Sequence, residues 1–370
     1  MAGHYIKLES GKYRVTMDYG IINGERVRKN KNVSTEAEAK KLLNEFEYNQ
    51  QRNLLVQNSK MTLAEFLEHW MDNYVKYNCE ETTAYGYRNI INKHLTPFMG
   101  NVELQKLQPA HIQQYYKHLM DNTGLSPNTV HKHHATIRKA LDYGLKQQLV
   151  YRNVADAVSL PRKKKFEGKS YTREQLRILL EKVTDTKIEL PVYLAGYLGL
   201  RREEICGLRW KNIDFTQRII HINEVRVSAG NRTIVKSPKT EKSQRTLYIT
   251  DELYDILIKN KARYDEYKKI LGSEFDDTGY IYAKENGKPY KVNYITDQFR
   301  EFLEIHDLPK IRLHDLRHTF ASILYDAGVD LKAISEALGH SDLGTTNKIY
   351  AHRFDINHMK TVTAISEALK

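Results

Sequence analysis

A ten-residue stretch near the middle of the chain sets the first limit on its fold. Pro161-Arg162-Lys163-Lys164-Lys165-Phe166-Glu167-Gly168-Lys169-Ser170 has no apolar periodicity. It puts four cations in a row and holds a proline and a glycine that break regular structure. Such a segment cannot enter a core, so the chain divides there. At 370 residues the chain also exceeds the roughly 100–200 residues of one domain. With 41% hydrophobic and 28% charged residues, each part can still bury a core. A basic linker of this kind either lies along a polyanion or is a solvated hinge.

Charge narrows the partner. Lys plus Arg is 58 against 46 Asp plus Glu, a formal +12 at pH 7. An excess of this size points to nucleic acid, the bland alternative being a merely soluble basic protein. It is concentrated in residues 1–60, with 11 basic and 7 acidic groups, and in residues 161–170, with five against one. No apolar run of about 18 residues could span a membrane, and the N-terminus lacks the apolar stretch of a secretory signal. Two distant cysteines, Cys79 and Cys206, cannot make a disulfide framework or a cysteine-rich zinc site. The expectation is a soluble, intracellular, multidomain protein.

Residues 1–58 read as a small sheet and a helix. Tyr13–Tyr19 alternates as a half-exposed strand does, Asn23-Gly24 is a two-residue hairpin signal, and the return, Glu25–Lys31, is loaded with cations. Thr35 and Glu38 form a capping box that opens a helix to about Arg52. A basic sheet on one supporting helix could enter a DNA groove, or its cations could simply protect an edge strand.

Residues 59–160 read as four helices around one core: Leu63 to about Tyr77 after the Thr62/Glu65 box, about Thr82–Leu95, Pro109 to near Met120, and Asn128–Gln148 after Ser126-Pro127. The last carries His131, Lys132, His133, His134, Arg138 and Lys139, a phosphate-seeking face or a solvated one. After the linker 161–170, residues 171–370 open with the box Thr172/Gln175. Helical patterns follow at Glu174–Val183, Leu190–Leu198 and from Glu203, strand-like ones at Ile219–Ile222, Thr233–Val235 and Thr246–Ile249, and helices again from Asp251. The fold class expected is multidomain α+β: a three-stranded sheet plus helix, a helical domain, then a mostly helical domain with a small antiparallel sheet.

Five short segments of the last domain look reactive or phosphate-binding. Gly199-Leu200-Arg201 ends on a guanidinium at a helix start, with Glu204 three residues on to orient it. Ser237-Pro238-Lys239-Thr240, between two strand-like segments, reads as a hairpin tip whose lysine reaches into a site. In His314-Asp315-Leu316-Arg317-His318, His314 and Arg317 share a helix face. Leu338-Gly339-His340 puts glycine where a helix C-cap needs it. Lys348-Ile349-Tyr350 supplies a phenol. Each is weak alone; their order and spacing are the signal. Arg201 precedes Lys239 by 38 residues and His314 by 113, and Tyr350 follows His314 by 36.

This constellation resembles the signature of the tyrosine recombinase (phage integrase) family. The surrounding words fit as well: Gly199-Leu200-Arg201-x-x-Glu204, Leu208-x-Trp210-x-x-Ile213-Asp214, and His314-Asp315-Leu316-Arg317-His318-Thr319-Phe320-Ala321. The resemblance implies a catalytic domain over 171–370 and a core-binding, SAM-like domain over 59–160. On pattern alone, residues 1–58 resemble the AP2-like arm-binding domain of integrases from phages and conjugative transposons. It further implies Arg201, Lys239, His314, Arg317, His340 and Tyr350 as catalytic residues and double-stranded DNA as partner, at core-type and arm-type attachment sites. A homotetramer, accessory DNA-bending or excision proteins, a bacterial cytoplasm and no cofactor or metal complete the expectation.

The chemistry is consistent without the name. Two guanidinium forks, Arg201 and Arg317, can neutralise the non-bridging oxygens of a phosphodiester in its pentacovalent transition state. His314 and His340 can add hydrogen bonds. A phenol with a pKa of about 10 needs nearby positive charge or a base to attack; His314 is the nearest base for Tyr350. Lys239 can protonate the departing 5′-oxygen. The arginines then do what a metal would do in a nuclease. His318 reads as structural, and Arg245 as a residue that holds the hairpin. Residues Met359, Val362, Ile365 and Leu369 form an apolar stripe at helical spacing that could dock on a neighbouring subunit.

Other readings compete. A type IB topoisomerase uses a similar set, but the N-terminal module and the Leu338-Gly339-His340 word argue against it. Xer-type resolvases are usually shorter and lack the first 60 residues. A DNA-binding regulator without catalysis would have no use for six reactive positions. A metal hydrolase on His314, His318 and His340 lacks carboxylate or cysteine partners at ligand spacing.

Overall fold

A computed structural model describes residues 3–22, 25–51, 60–164, 168–238 and 243–339. Lys239, His340 and Tyr350 lie outside the described residues, as do the Asn23-Gly24 turn and the 355–370 stripe. The chain separates into two compact units, Met1–Lys165 and Phe166–Lys370.

The first unit opens with three antiparallel strands in chain order, β1 (Gly3–Lys7), β2 (Tyr13–Ile22) and β3 (Glu25–Val33). Helix α1 (Glu36–Gln51) starts at the expected box: the Glu38 amide donates to Thr35 Oγ1 at 3.2 Å and the Thr35 amide to Glu38 Oε2 at 3.3 Å. Val15, Ala39 and Phe46 are the buried centre of this module. Strand alternation therefore turns Thr16, Asp18, Arg28 and Asn30 to the face opposite Val15. There Arg26 and Arg28 each donate to Asp18 at 3.0 Å.

The rest of this unit is helical. α2 (Leu63–Trp70) runs through a π-turn at Met71–Val75 into α3 (Lys76–Asn78). α4 (Glu81–Ile90) passes in the same way through Ile91–Leu95 into α5 (Thr96–Met99), and α6 (Pro109–Asp121) and α7 (Pro127–Lys146) follow. Thr62 and Glu65 make the box that starts α2, and Ser126 caps α7 with Pro127 in its first turn. Phe66, Trp70, Leu95, Ile112, Tyr115 and Leu119 fill the core.

The basic-looking stretch of α7 differs from a single phosphate-seeking face. Helical spacing aligns His133 with Val130, Ile137 and Leu141, so His133 is buried and hydrogen-bonds the Tyr115 hydroxyl at 2.7 Å. His134 bonds the Tyr116 hydroxyl at 2.8 Å, and Lys139 lies over the Tyr74 and Tyr87 rings. Burial holds His133 down to about 4. Of the six, Lys132 and Arg138 are exposed, Arg138 paired with Asp156.

The second unit packs α8 (Arg173–Lys182), α10 (Arg202–Gly207), α11 (Asp251–Leu271) and α13 (Asp315–Asp326) around α9 (Glu189–Leu198). Beyond Glu189 in its first turn, α9 is apolar on nearly every side, as an enclosed helix must be. α12 (Tyr294–Ile305) and α14 (Leu331–Leu338) complete the helices. Strands β4 (Ile213–Asp214), β5 (Ile219–Ile222) and β8 (Arg245–Tyr248) form one antiparallel sheet, and β6 (Val225–Ala229) pairs with β7 (Arg232–Lys236) in another. The hairpin expected around Lys239 is thereby corrected. β7 and β8 belong to different sheets, so Lys239 falls in their connection, and the hairpin turn is at Gly230-Asn231.

Candidate active site

Four helix ends meet in the second unit. α9 stops at Gly199, in the left-handed conformation with φ 61°. Only glycine fits there. A Cβ would stand 2.7 Å from the Phe320 ring and 2.8 Å from Leu338 Cδ2. The chain then turns through Leu200 into Arg201, the N-cap of α10. α14 also stops at a left-handed glycine, Gly339, with φ 63°. His314 sits at the N-cap of α13, and Arg317 lies in its first turn.

The arginines occupy the gap between these ends. Arg317, 3% exposed, donates through Nη1 to the Gly199 carbonyl at 2.8 Å and through Nη2 to the Leu338 carbonyl. It thus caps α9 and α14 together, a cation at two helix C-termini. Arg201 donates to the Gly339 carbonyl at 3.4 Å. The structure therefore brings Arg201 and Arg317 onto adjacent peptide groups, with His314 three residues from Arg317 along α13.

Glu204 anchors the arrangement. It is 2% exposed and its carboxylate accepts four N–H bonds. Oε1 takes Arg201 Nη1 at 2.8 Å and Arg245 Nη1 at 3.1 Å. Oε2 takes the Arg201 amide at 2.9 Å and Arg245 Nη2 at 3.0 Å. Burial alone would raise this carboxyl, but hydrogen bonds and charge from Arg245 and then Arg201 pull it below the ordinary glutamate value. The Arg201–Glu204 pair expected from spacing is present. Arg245 does more than expected: besides the Ser243 carbonyl in its own connection, it reaches Glu204 and the Ala337 carbonyl, the latter at 2.8 Å.

His314 lies at the rim of the cluster. The residue as a whole is exposed, but protein packed against its ring, then the positive charge of His318, Arg317 and Arg312, lowers its pKa. In its neutral form the imidazole can accept a proton. His318 stands edge-on to it, ring centroids 5.3 Å apart, as a neighbour in the helix. Asp315, 2% exposed, accepts from Arg312 and fixes the start of α13. Thr319 accepts the Tyr171 amide at 2.9 Å, which ties the start of the domain to the same helix. Sequence reading missed these supports, and it missed the central place of Arg245. Among the described residues no group of three or more His, Cys, Asp or Glu is placed to hold a metal ion. No described helix is long and apolar enough to cross a membrane.

A basic chain with an arginine pair locked onto two helix ends has the features of a phosphodiester-handling protein, and comparison with known proteins gives the class. The profile of the phage integrase family matches residues 170–356, and that of the phage integrase N-terminal SAM-like domain matches residues 62–120. The chain belongs to the phage integrase family. It is 28% identical to the ICEBs1 integrase of Bacillus subtilis (strain 168) over 361 residues, covering 94% of this chain and 95% of that one. It is 27% identical over 373 residues to a tyrosine recombinase XerC-like protein of Caldanaerobacter subterraneus subsp. tengcongensis, covering 94% of each. In fold it is similar to the Tn1549 transposon integrase solved with transposon right end DNA, with a TM-score of 0.68 at 22% identity over 82% of this chain and 99% of that one. A lambda integrase dimer bound to a COC′ core site is also similar, with a TM-score of 0.58 at 16% identity over 93% of each chain. The XerC-like relative shows that the Xer alternative is a branch of the same family.

Proposed function

We propose that this chain is a site-specific DNA recombinase that cuts and rejoins DNA through a 3′-phosphotyrosine, integrating or excising a mobile element. The observation that supports this best is the convergence of Arg201 and Arg317 on adjacent peptide groups at the end of α14, with His314 at the N-cap of the helix that carries Arg317. The two guanidiniums neutralise the non-bridging oxygens of the scissile phosphate. Losing one such preorganised donor typically costs about 10²–10³ in rate. His314 takes the phenolic proton of Tyr350, whose oxygen attacks phosphorus. The bond from phosphorus to the 5′-oxygen breaks, and Lys239 protonates that oxygen. His340 hydrogen-bonds a non-bridging oxygen. The ester keeps the bond energy, so the 5′-hydroxyl of another strand can displace Tyr350 without ATP.

The domains divide the work. Residues 59–160 and 171–370 hold the core-type site, joined by the basic linker 161–170. The polar sheet face of residues 1–58, with Arg26, Arg28 and Asn30, binds the arm-type site. Four copies act on two duplexes, the stripe of Met359, Val362, Ile365 and Leu369 docking on a neighbour. Accessory DNA-bending or excision proteins set direction, and the work is done in the bacterial cytoplasm, at the nucleoid.

The test is a denaturing trap of covalent protein–DNA adducts, formed with EDTA and fragmented host DNA and then sequenced, beside Tyr350→Phe. Adducts at a few related sites, absent from the variant, are expected. Adducts scattered without sequence choice would instead favour topoisomerase action.

A further inference from the structure

Three guanidiniums, not two, hold the end of α14. Arg245 donates through Nε to the Ala337 carbonyl, Arg317 through Nη2 to that of Leu338, and Arg201 through Nη2 to that of Gly339. The carbonyls are consecutive, and they are the last ones of a helix, where the backbone has no partner of its own. Arg317 and Arg201 are accounted for by the chemistry proposed above. Arg245 is not. Its side chain is 8% exposed, and that of its partner Glu204 2%. Its whole fork is used internally: Nε on Ala337, Nη1 and Nη2 on the two oxygens of Glu204, with Nη1 also on the Ser243 carbonyl.

We infer that Arg245 is a positioning residue for strand cleavage, fixing Arg201 through Glu204 and fixing the α14 end through Ala337. The inference rests on the recombinase reading and names a further residue that reading needs. Arg245 begins β8, a strand paired to β5 within the core sheet, so the anchor is a rigid one. From it a single guanidinium reaches the same two parts of the site that Arg201 spans, Glu204 and the end of α14. One is the carboxylate that bonds both the amide and the guanidinium of Arg201. The other is the carbonyl two residues before Gly339, after which the chain enters residue 340. Lysine cannot replace it: an ammonium is a point charge without a fork and cannot hold carboxylate and carbonyl in one plane. The effect of Arg245 falls on the phosphate's negative charge, because Arg201 is the group it holds.

The experiment uses the full chain and a core-site duplex nicked beside the scissile phosphate, so that cleavage is trapped and read as a single-turnover rate. Arg245→Lys is compared with wild type on the phosphodiester and on a methylphosphonate, which removes one negative oxygen. DNA affinity and melting temperature are measured in parallel. Arg245→Lys is expected to cleave the phosphodiester at least tenfold more slowly at unchanged DNA affinity. That deficit should shrink severalfold on the neutral linkage, where a displaced Arg201 matters less. Because loss of a buried partner can unfold a variant, Glu204→Gln and the double variant Arg245→Lys/Glu204→Gln are added. Acting through one carboxylate, the two changes should slow cleavage together little more than the worse one does alone. Equal phosphodiester rates for Arg245→Lys and wild type would overturn the inference. So would an equal deficit on both linkages, which marks a general defect of folding. Wild-type protein that forms no adduct on any DNA in the trap described above would instead sink the recombinase reading itself.

Discussion

Glu204→Gln is the substitution whose cost is best defined. Each oxygen of the Glu204 carboxylate accepts one bond from Arg201 and one from Arg245. A glutamine amide has the same shape but only one acceptor. Whichever way it turns, it breaks one bond to each arginine and sets donor against donor. It also leaves the Arg245 side chain, 8% exposed, without its counter-charge. Removing one partner of a buried ion pair costs about 3–5 kcal/mol. Glutamine keeps two of the four bonds, which places the loss near the lower end, about 3 kcal/mol. For a unit of this size, about 2–4 °C of melting temperature per kcal/mol gives a fall of about 6–12 °C. The assay is thermal unfolding at pH 7 by circular dichroism. The folded carboxyl lies below the ordinary value of 4.5, so the wild-type advantage is full above that pH and is lost as pH falls through the lower, folded value. The gap between wild type and variant should therefore close in acid. A melting temperature within about 1 °C of wild type at pH 7, or a gap that widens in acid, would refute the reasoning.

Two further outcomes follow from the first unit. His133 is buried and held to about 4 against an ordinary 6.5, so stability is complete above pH 6.5 and declines as the unfolded chain takes up the proton between 6.5 and 4. At 1.36 kcal/mol per pH unit the full effect is about 3 kcal/mol. His133→Gln should lower stability at pH 7 but flatten its decline in denaturant titrations between those values, and an unchanged slope would contradict the burial argument. Deleting residues 1–60 should spare binding to the core-type site in gel-shift assays and abolish binding to arm-type DNA; survival of both would remove the arm-binding role.

Much of this was readable in the sequence, for identifiable reasons. The boxes at Thr35, Thr62 and Thr172 and the Ser126-Pro127 start are local rules, satisfied within four residues, and the helices begin where they say. The Arg201–Glu204 pair was likewise local, three positions apart across a cap. What was missed depends on contacts distant in sequence. Arg245 reads in sequence as a residue that holds a hairpin; that it touches Ala337, 92 positions away, has no local signal. The histidines of α7 read by composition as a phosphate-seeking or a solvated face, yet helical phase sends His133 inward to Tyr115. The hairpin expected around Lys239 failed because pairing register is not written in strand-like character: β7 pairs back to β6, a strand that alternation did not reveal, and β8 pairs to β5.

The central claim is that Tyr350 carries the DNA, and one measurement reads it directly. The trapped adduct is digested with nuclease and trypsin, and the nucleotide-bearing peptide is located by tandem mass spectrometry. Cleavage after Lys348 and Arg353 releases Ile349-Tyr350-Ala351-His352-Arg353. The added nucleotide mass is expected on that peptide, localised to Tyr350 and joined through the 3′-phosphate. The mass on another tyrosine, on a serine, or joined through a 5′-phosphate would contradict the claim.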